Sequence, residues 1–269
     1  MKTAEQRGVV LIVVLWITVL LTVLLVAFTA TIKVDRNVAS DIVQRVQARA
    51  GAEAVLSYLV AIQQSEAYDW SEMAGQVYKL SLNSMQVRFR FIPESSFLSL
   101  NAVTIEELET VFNSAGAEDA AAIAEYIVQR REGSIENQSG ELIEPQPWVS
   151  TVELSQLPGM TADVYQRVRG WFTVDSDHQS VNVNFAEAEL VRALIGAEAE
   201  QLLAERAEPG FAGEASVLNQ EGGDVFRVQV ELSSTAHKRK IETSVAFGEG
   251  ELGYRIARWN EYNAHFLLE

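Results

Sequence analysis

An α+β fold is predicted: a long N-terminal helix, a small antiparallel sheet, and an all-helical domain inserted between two groups of strands. Three observations predict it. An uncharged run from Val9 to Ile32 continues without a proline into an amphipathic stretch that ends near Gln64. Segments of alternating polarity occur on both sides of the chain's middle. Between them, residues 98–214 have the texture of short helices separated by Gly and Pro breaks.

The first element starts behind eight polar residues, Met1 to Gly8. Val9–Ile32 at 1.5 Å per residue spans about 36 Å, enough for a hydrocarbon core of roughly 30 Å. An ordinary secretory signal has a shorter apolar stretch, and its small-residue cleavage site follows that stretch. Here the small residue that suits cleavage, Gly8, precedes it. That order resembles the type IV prepilin pattern, in which residues 1–8 are a leader and the apolar helix stays in the mature chain. An uncleaved single-span anchor is the plainer alternative. Lys2 and Arg7 before the span nearly balance Lys33 and Arg36 after it. The short leader is easier to leave behind than the acidic domain, which places the N-terminus in the cytoplasm and the bulk in the periplasm.

Beyond the span, Val34, Val38, Ile42, Val46, Ala50, Val55, Leu59 and Ile62 recur every three to five residues among charged ones. This spacing gives one apolar stripe, so the helix over 9–65 is half membrane segment and half amphipathic. Gln76–Leu82 and Met85–Ile92 read as strands flanking Asn83-Ser84, with Val87, Phe89 and Phe91 alternating against Gln86, Arg88 and Arg90. Val225–Leu232 and Lys240–Phe247 read as a second pair. Residues 66–97 and 215–269 therefore make up the β domain, and 98–214 the insert.

Within the insert, Asn101–Leu108, Ser150–Leu157 and Asn184–Leu190 each place Asn, Ser or Thr ahead of glutamates and leucines, as helix N-termini do. Second helices are predicted at Ala117–Arg131, Thr161–Trp171 and Gly196–Arg206. Leu154–Val168, with Pro158-Gly159 at its turn, is close to a helix-hairpin-helix (SAM-like) pattern. A membrane-anchored periplasmic DNA receptor is therefore the rival function. Charge argues against it: residues 98–209 hold six arginines and no lysine against twenty Asp and Glu, a net of −14. Non-specific DNA affinity comes from cations on phosphates, so no nucleic-acid partner is expected.

Composition narrows the rest. The chain has 269 residues, a formal charge of −16 and no cysteine. Disulfides, thiolate nucleophiles and Cys-ligated zinc are thereby excluded. His178, His237 and His265 have no metal-ligand spacing, and no hydrolase or phosphate-loop motif occurs. No catalytic residue is assigned, and the chain is expected not to be an enzyme.

The Gly8/Val9 junction, the apolar helix, Ala48–Ala54, Leu98–Asn101, Val152–Leu154 with Pro158–Met160, and Val181–Asn184 together resemble the GspK family. The resemblance covers nearly the whole chain. It implies a minor pseudopilin of a type II secretion system that caps the tip of a periplasmic pseudopilus and initiates its assembly for protein export. It further implies cleavage after Gly8 and N-methylation of Val9 by a prepilin peptidase. Sister minor pseudopilins would be the other partners, with the outer-membrane secretin or secreted cargo beyond them. Most pilins carry a glutamate five residues after the cut. Here that position is Val13, as the resemblance leads one to expect of a subunit with no neighbour above it. The family's calcium-binding acidic segment is not matched, because Val128, Gln129 and Arg130 stand where carboxylates belong. Calcium is left to the Asp175-x-Asp177 pair alone, and no cofactor is assigned.

Overall fold

The computed structural model describes residues 4–65, 73–82, 85–133, 144–206, 218–219, 225–233, 238–248, 250 and 252–263, with side chains from Leu11 onward except at residues 30, 218, 219 and 263. The chain falls into two compact units, residues 1–51 and 52–269.

The first unit is the greater part of helix α1 (Ala4–Ser65). The helix begins inside the segment read as a leader. Among the described residues it is the one helix long and apolar enough to cross a membrane by length and composition. The soluble stretch carries an Arg45–Asp41 pair one turn apart at 2.9 Å. Val34, Val38, Ile42 and Val46 of the predicted stripe are exposed.

In the second unit, the last turns of α1 bury Ala52, Val55, Leu56, Leu59 and Ile62. Strands β1 (Tyr78–Leu82) and β2 (Met85–Pro93) form the predicted hairpin. Two further hairpin-linked strands, β7 (Val225–Ser233) and β8 (Lys238–Phe247), lie beyond the insert. With β9 (Tyr254–Asn263) they complete a five-stranded antiparallel sheet in the order β1-β2-β7-β8-β9. The register sets Phe89 opposite Val230 and Val230 opposite Ile241, so the apolar residues share one face. Tyr58 of α1 meets Phe89 edge-on at 6.0 Å between ring centroids, placing the end of α1 on that face. Close approach matters at Gly253 (φ +78°), where a Cβ would sit 2.8 Å from Val60 Cγ1.

Strand β9 is absent from the sequence reading, and its geometry explains why. Ser244 pairs with Arg258 but Val245 with Ile256, leaving Ala257 as a bulge. An extra residue switches the side-chain parity, so the alternation of Tyr254 and Ile256 does not continue to Trp259.

The insert runs between β2 and β7. Its helices are α2 (Ile105–Ser114), α3 (Ala120–Glu132), α4 (Ala162–Val168), α5 (Ala188–Ile195) and α6 (Ala199–Arg206). Two short parallel pairs brace it: β3 (Leu98–Ser99) with β4 (Phe172–Thr173), and β5 (Val181–Asn182) with β6 (Leu218–Asn219). Its core includes Leu100, Leu108, Phe112, Ile123, Ile127, Trp148 and Phe172, with Phe112 and Phe172 stacked at 5.6 Å.

Capping follows the predicted chemistry at two of the three predicted starts. Thr104, not Asn101, caps α2: its hydroxyl accepts from Glu107 N while Glu107 reaches back to Thr104 N. Asn101 instead exchanges two hydrogen bonds with the backbone of Trp148, at 3.0 and 2.8 Å. Ser150 and Glu153 make a second capping box, but on a 3-10 turn (Thr151–Gln156) rather than an α-helix. Asn184 caps nothing; its own N–H donates to Asn182 Oδ1 in a turn, and α5 starts after Glu187.

Candidate functional site

Three regions carry chemistry that packing alone does not require. The first is the apolar part of α1. Every large apolar side chain from Leu11 to Phe28 is about half exposed or more. A surface this large and continuous on a soluble protein marks contact with lipid or other chains. The polar side chains within it are internally satisfied. Thr18, Thr22 and Thr29 donate to the carbonyls of Leu15, Thr18 and Leu25 at 2.7–2.8 Å, and Thr31 to that of Ala27 at 3.1 Å. In hydrocarbon a free hydroxyl costs several kcal/mol, so this pattern suits a lipid-facing helix. Gly8 and Val9 lie on the helical backbone, and Val13 is half exposed on its apolar surface. No Asp, Glu, Lys or Arg occurs between Val9 and Ile32.

The second region is a buried polar junction between the insert and the sheet. Glu94, on a 3-10 turn just after β2, is 1% exposed. Arg227 on β7 grips it with two bonds, Nε to Oε1 at 3.1 Å and Nη2 to Oε2 at 2.9 Å. The same guanidinium lies 3.6 Å from the centre of the Phe97 ring. Burial alone would loosen its proton, but Glu94, Glu242 and Asp175 raise its pKa above the ordinary arginine value. A parallel grip joins β9 to the loop after β4: Arg258 Nε and Nη2 reach the two oxygens of Asp175 at 2.9 and 3.0 Å. Ser244 Oγ lies between the two carboxylates, 2.9 Å from Glu94 Oε1 and 2.8 Å from Asp175 Oδ2. Its single proton serves one of them at a time. Burial pushes the Asp175 carboxyl up, but bonds from Arg258 and Ser244 hold it below the usual carboxylate range.

The two residues of the Asp175-x-Asp177 pair lie in different surroundings. Both oxygens of Asp175 face Arg258, while Asp177 is exposed. Among the described residues no three acidic or histidine side chains gather as a metal would need. Glu132 and Glu144 lie among the described residues, whereas Glu136, Glu141, His237 and His265 lie outside them. Glu94, Arg227, Ser244 and Arg258 were not singled out by sequence reasoning. Arg227, Ser244 and Arg258 look like ordinary polar-face strand residues and Glu94 like a turn residue, and no local pattern names partners more than 60 positions away.

The third region is the helix-hairpin-helix stretch. Its turn is present: Gly159 has φ +80°, and Thr161 caps α4 by accepting from Val164 N. The turn sits beside the start of α3, where a Cβ on Gly159 would be 3.7 Å from that of Asp119. A carboxylate at this position repels phosphate. The insert's arginines are engaged internally. Arg130 pairs with Glu153 at 2.5 Å and Arg192 with Glu200 at 2.7 Å. Arg131, Arg167 and Arg206 donate to carbonyls of Val103, Ala115 and Ala186 at 2.6–2.7 Å.

Neither a protein-family model nor a curated protein matches the sequence. The fold is similar to that of a chain in the crystal structure of the GspK–GspI–GspJ complex of the enterotoxigenic Escherichia coli type 2 secretion system. The TM-score is 0.60 at 15% identity, and the match covers 85% of this chain and 100% of that one.

Proposed function

We propose that this chain is a GspK-like minor pseudopilin of a type II secretion system, a non-enzymatic protein that caps the pseudopilus tip and initiates its assembly for export. One observation carries the reading: a lipid-compatible helix behind Arg7-Gly8-Val9 is continuous with a fold like that of a chain in a minor-pseudopilin complex. On this reading a prepilin peptidase cleaves after Gly8 and methylates Val9. Before assembly, the apolar helix holds the chain in the inner membrane with the globular unit in the periplasm. In the tip, several such helices bury their apolar faces against one another, and sister minor pseudopilins are the direct partners.

Val13 fits the end of a filament. A glutamate in the apolar helix is costly unless a neighbour's cationic amine answers it, and a terminal subunit has no neighbour on one side. Mass spectrometry of the mature chain tests the processing step: the expected product starts at Val9 and carries one added methyl group. A mature chain that retains Met1 sinks the reading. Capping is tested by Val13→Glu in secreting cells. Incorporation along the shaft, with longer pseudopili, is expected. A Val13→Glu protein that remains confined to the tip would remove the significance given to that position.

A further inference from the structure

A cleft of about 960 Å³ opens over the polar face of the sheet, beside the insert, entirely within the unit of residues 52–269. Among the described residues six cations line it: Arg90, Arg169, Arg206, Arg227, Lys240 and Arg258. The carboxylates among its lining residues are Asp175, Glu187 and Glu242. In a chain of net charge −16 this is a local reversal of sign.

Not all of that charge is answered from within. Arg227 and Arg258 are held by Glu94 and Asp175. Arg90, by contrast, donates to a neutral group, Gln229 Oε1, at 2.7 Å. Arg206 donates to backbone carbonyls. Lys240 Nζ stands 3.8 Å from Glu242, whose carboxylate also accepts from Gln229 at 2.9 Å. Burial first, then Arg90 and Arg227, loosen the Lys240 proton against the pull of Glu242 and Glu231. Glu187 is pushed up by burial and by Glu189, against the pull of Arg90. Glu187 and Glu242 both act on Arg90 as well, yet among the described lining residues the cations outnumber the carboxylates six to three.

Aromatic residues stand among the cations, including Tyr165, Phe185 and Tyr262. A metal ion would be repelled by the cations, and a net charge of −16 disfavours a long polyanion. A small inorganic anion would leave the aromatic walls unmatched. The volume is at the upper end of small-ligand pockets, roughly 300–1,000 Å³, and accommodates a few residues of extended chain. We propose that this cleft receives an acidic segment of a partner protein, seating carboxylates at Arg90 and Lys240 and apolar neighbours against Tyr262 and Phe185. The proposal does not depend on the secretion reading, since it rests on the charge and lining of the cleft alone.

The test uses the full chain in detergent and a short fluorescein-labelled peptide alternating glutamate with phenylalanine, read by fluorescence anisotropy. The acidic peptide is expected to bind about tenfold or more tightly than its glutamine counterpart, with the preference falling as salt rises. Lys240→Gln and Arg90→Gln should each weaken binding about tenfold, with Lys240→Arg retaining it and Arg192→Gln, outside the cleft, leaving it unchanged. Thermal melts identify any variant that fails to fold, and the Lys240 pair then decides. Equal binding of the two peptides, or unchanged binding by folded Lys240→Gln, would overturn the proposal. Full competition by sulfate at the peptide's own concentration would also overturn it, by showing a general anion site.

Discussion

The two faces of the sheet hold the same strands in place by different physics. On the face covered by the end of α1, Phe89, Phe91, Val228, Val230, Ile241 and Val245 are at most 1% exposed and make no directional demands beyond shape. On the other face, Glu94, Arg227, Ser244, Asp175 and Arg258 form a connected set whose members need one another in fixed positions. Volume governs the first face and pairing governs the second. The same size of side-chain change should therefore have different consequences on the two sides.

The largest effect is expected from removing volume on the apolar face. Phe91→Ala should destabilise the globular unit by about 3–5 kcal/mol, since a buried ring leaves a cavity that its neighbours only partly fill. Chemical denaturation followed by tryptophan fluorescence would measure it. A loss below about 1 kcal/mol would mean that this face is not the tightly packed one.

On the polar face, the sharper experiment is a pair of variants rather than one. Glu94→Leu strands Arg227 in a site where its side chain is only 12% exposed, and should cost roughly 3 kcal/mol or more. Adding Arg227→Met removes the stranded charge, so the double variant should recover most of that loss. If the double variant is no better than the single one, the carboxylate acts by shape and the contrast between the faces collapses.

Legibility in the sequence followed the same division. Four of the five strands were legible, in Gln76–Leu82, Met85–Ile92, Val225–Leu232 and Lys240–Phe247, and the alternation of Met85–Ile92 marked their apolar face. The threonines and small caps announced most helix starts to within a few residues. Strand β9 was hidden by the bulge at Ala257, and the Thr151–Gln156 turn looked α-helical because a capping box does not distinguish the two helix types. The polar junction was illegible for a different reason. Arg227 and Glu94 are 133 positions apart, and an arginine that alternates with valines looks the same whether it meets water or a buried carboxylate. The apolar helix needed no tertiary information, because its signal is its length and the absence of charge.

A pH dependence separates the faces further. The Asp175 pKa is lower in the folded chain than its unfolded value of about 3.9. Its stabilisation is therefore fully present above that value and is lost as pH falls through the lower, folded pKa. Asp175→Asn should cost about 1–3 kcal/mol at neutral pH and flatten the stability profile below about pH 4. Measuring denaturation midpoints from pH 7 down to pH 3 would show it. An unchanged acid limb in Asp175→Asn would assign acid sensitivity to other carboxylates.

The smallest effect tests whether the apolar face has any directional component. Tyr78 on edge strand β1 stacks on Phe89 with centroids 5.5 Å apart and planes at 26°. Tyr78→Leu retains an apolar side chain but removes the stacked ring, so the expected loss is about 0.5–1.5 kcal/mol. That loss should be the same at pH 7 and pH 4, because no ionised partner is removed. Tyr78 Oη also lies 3.3 Å from Met73 O, and Tyr78→Phe separates that hydrogen bond from the ring contact. If Tyr78→Phe costs as much as Tyr78→Leu, the hydroxyl dominates, and directional bonding reaches across to the face assigned here to shape alone.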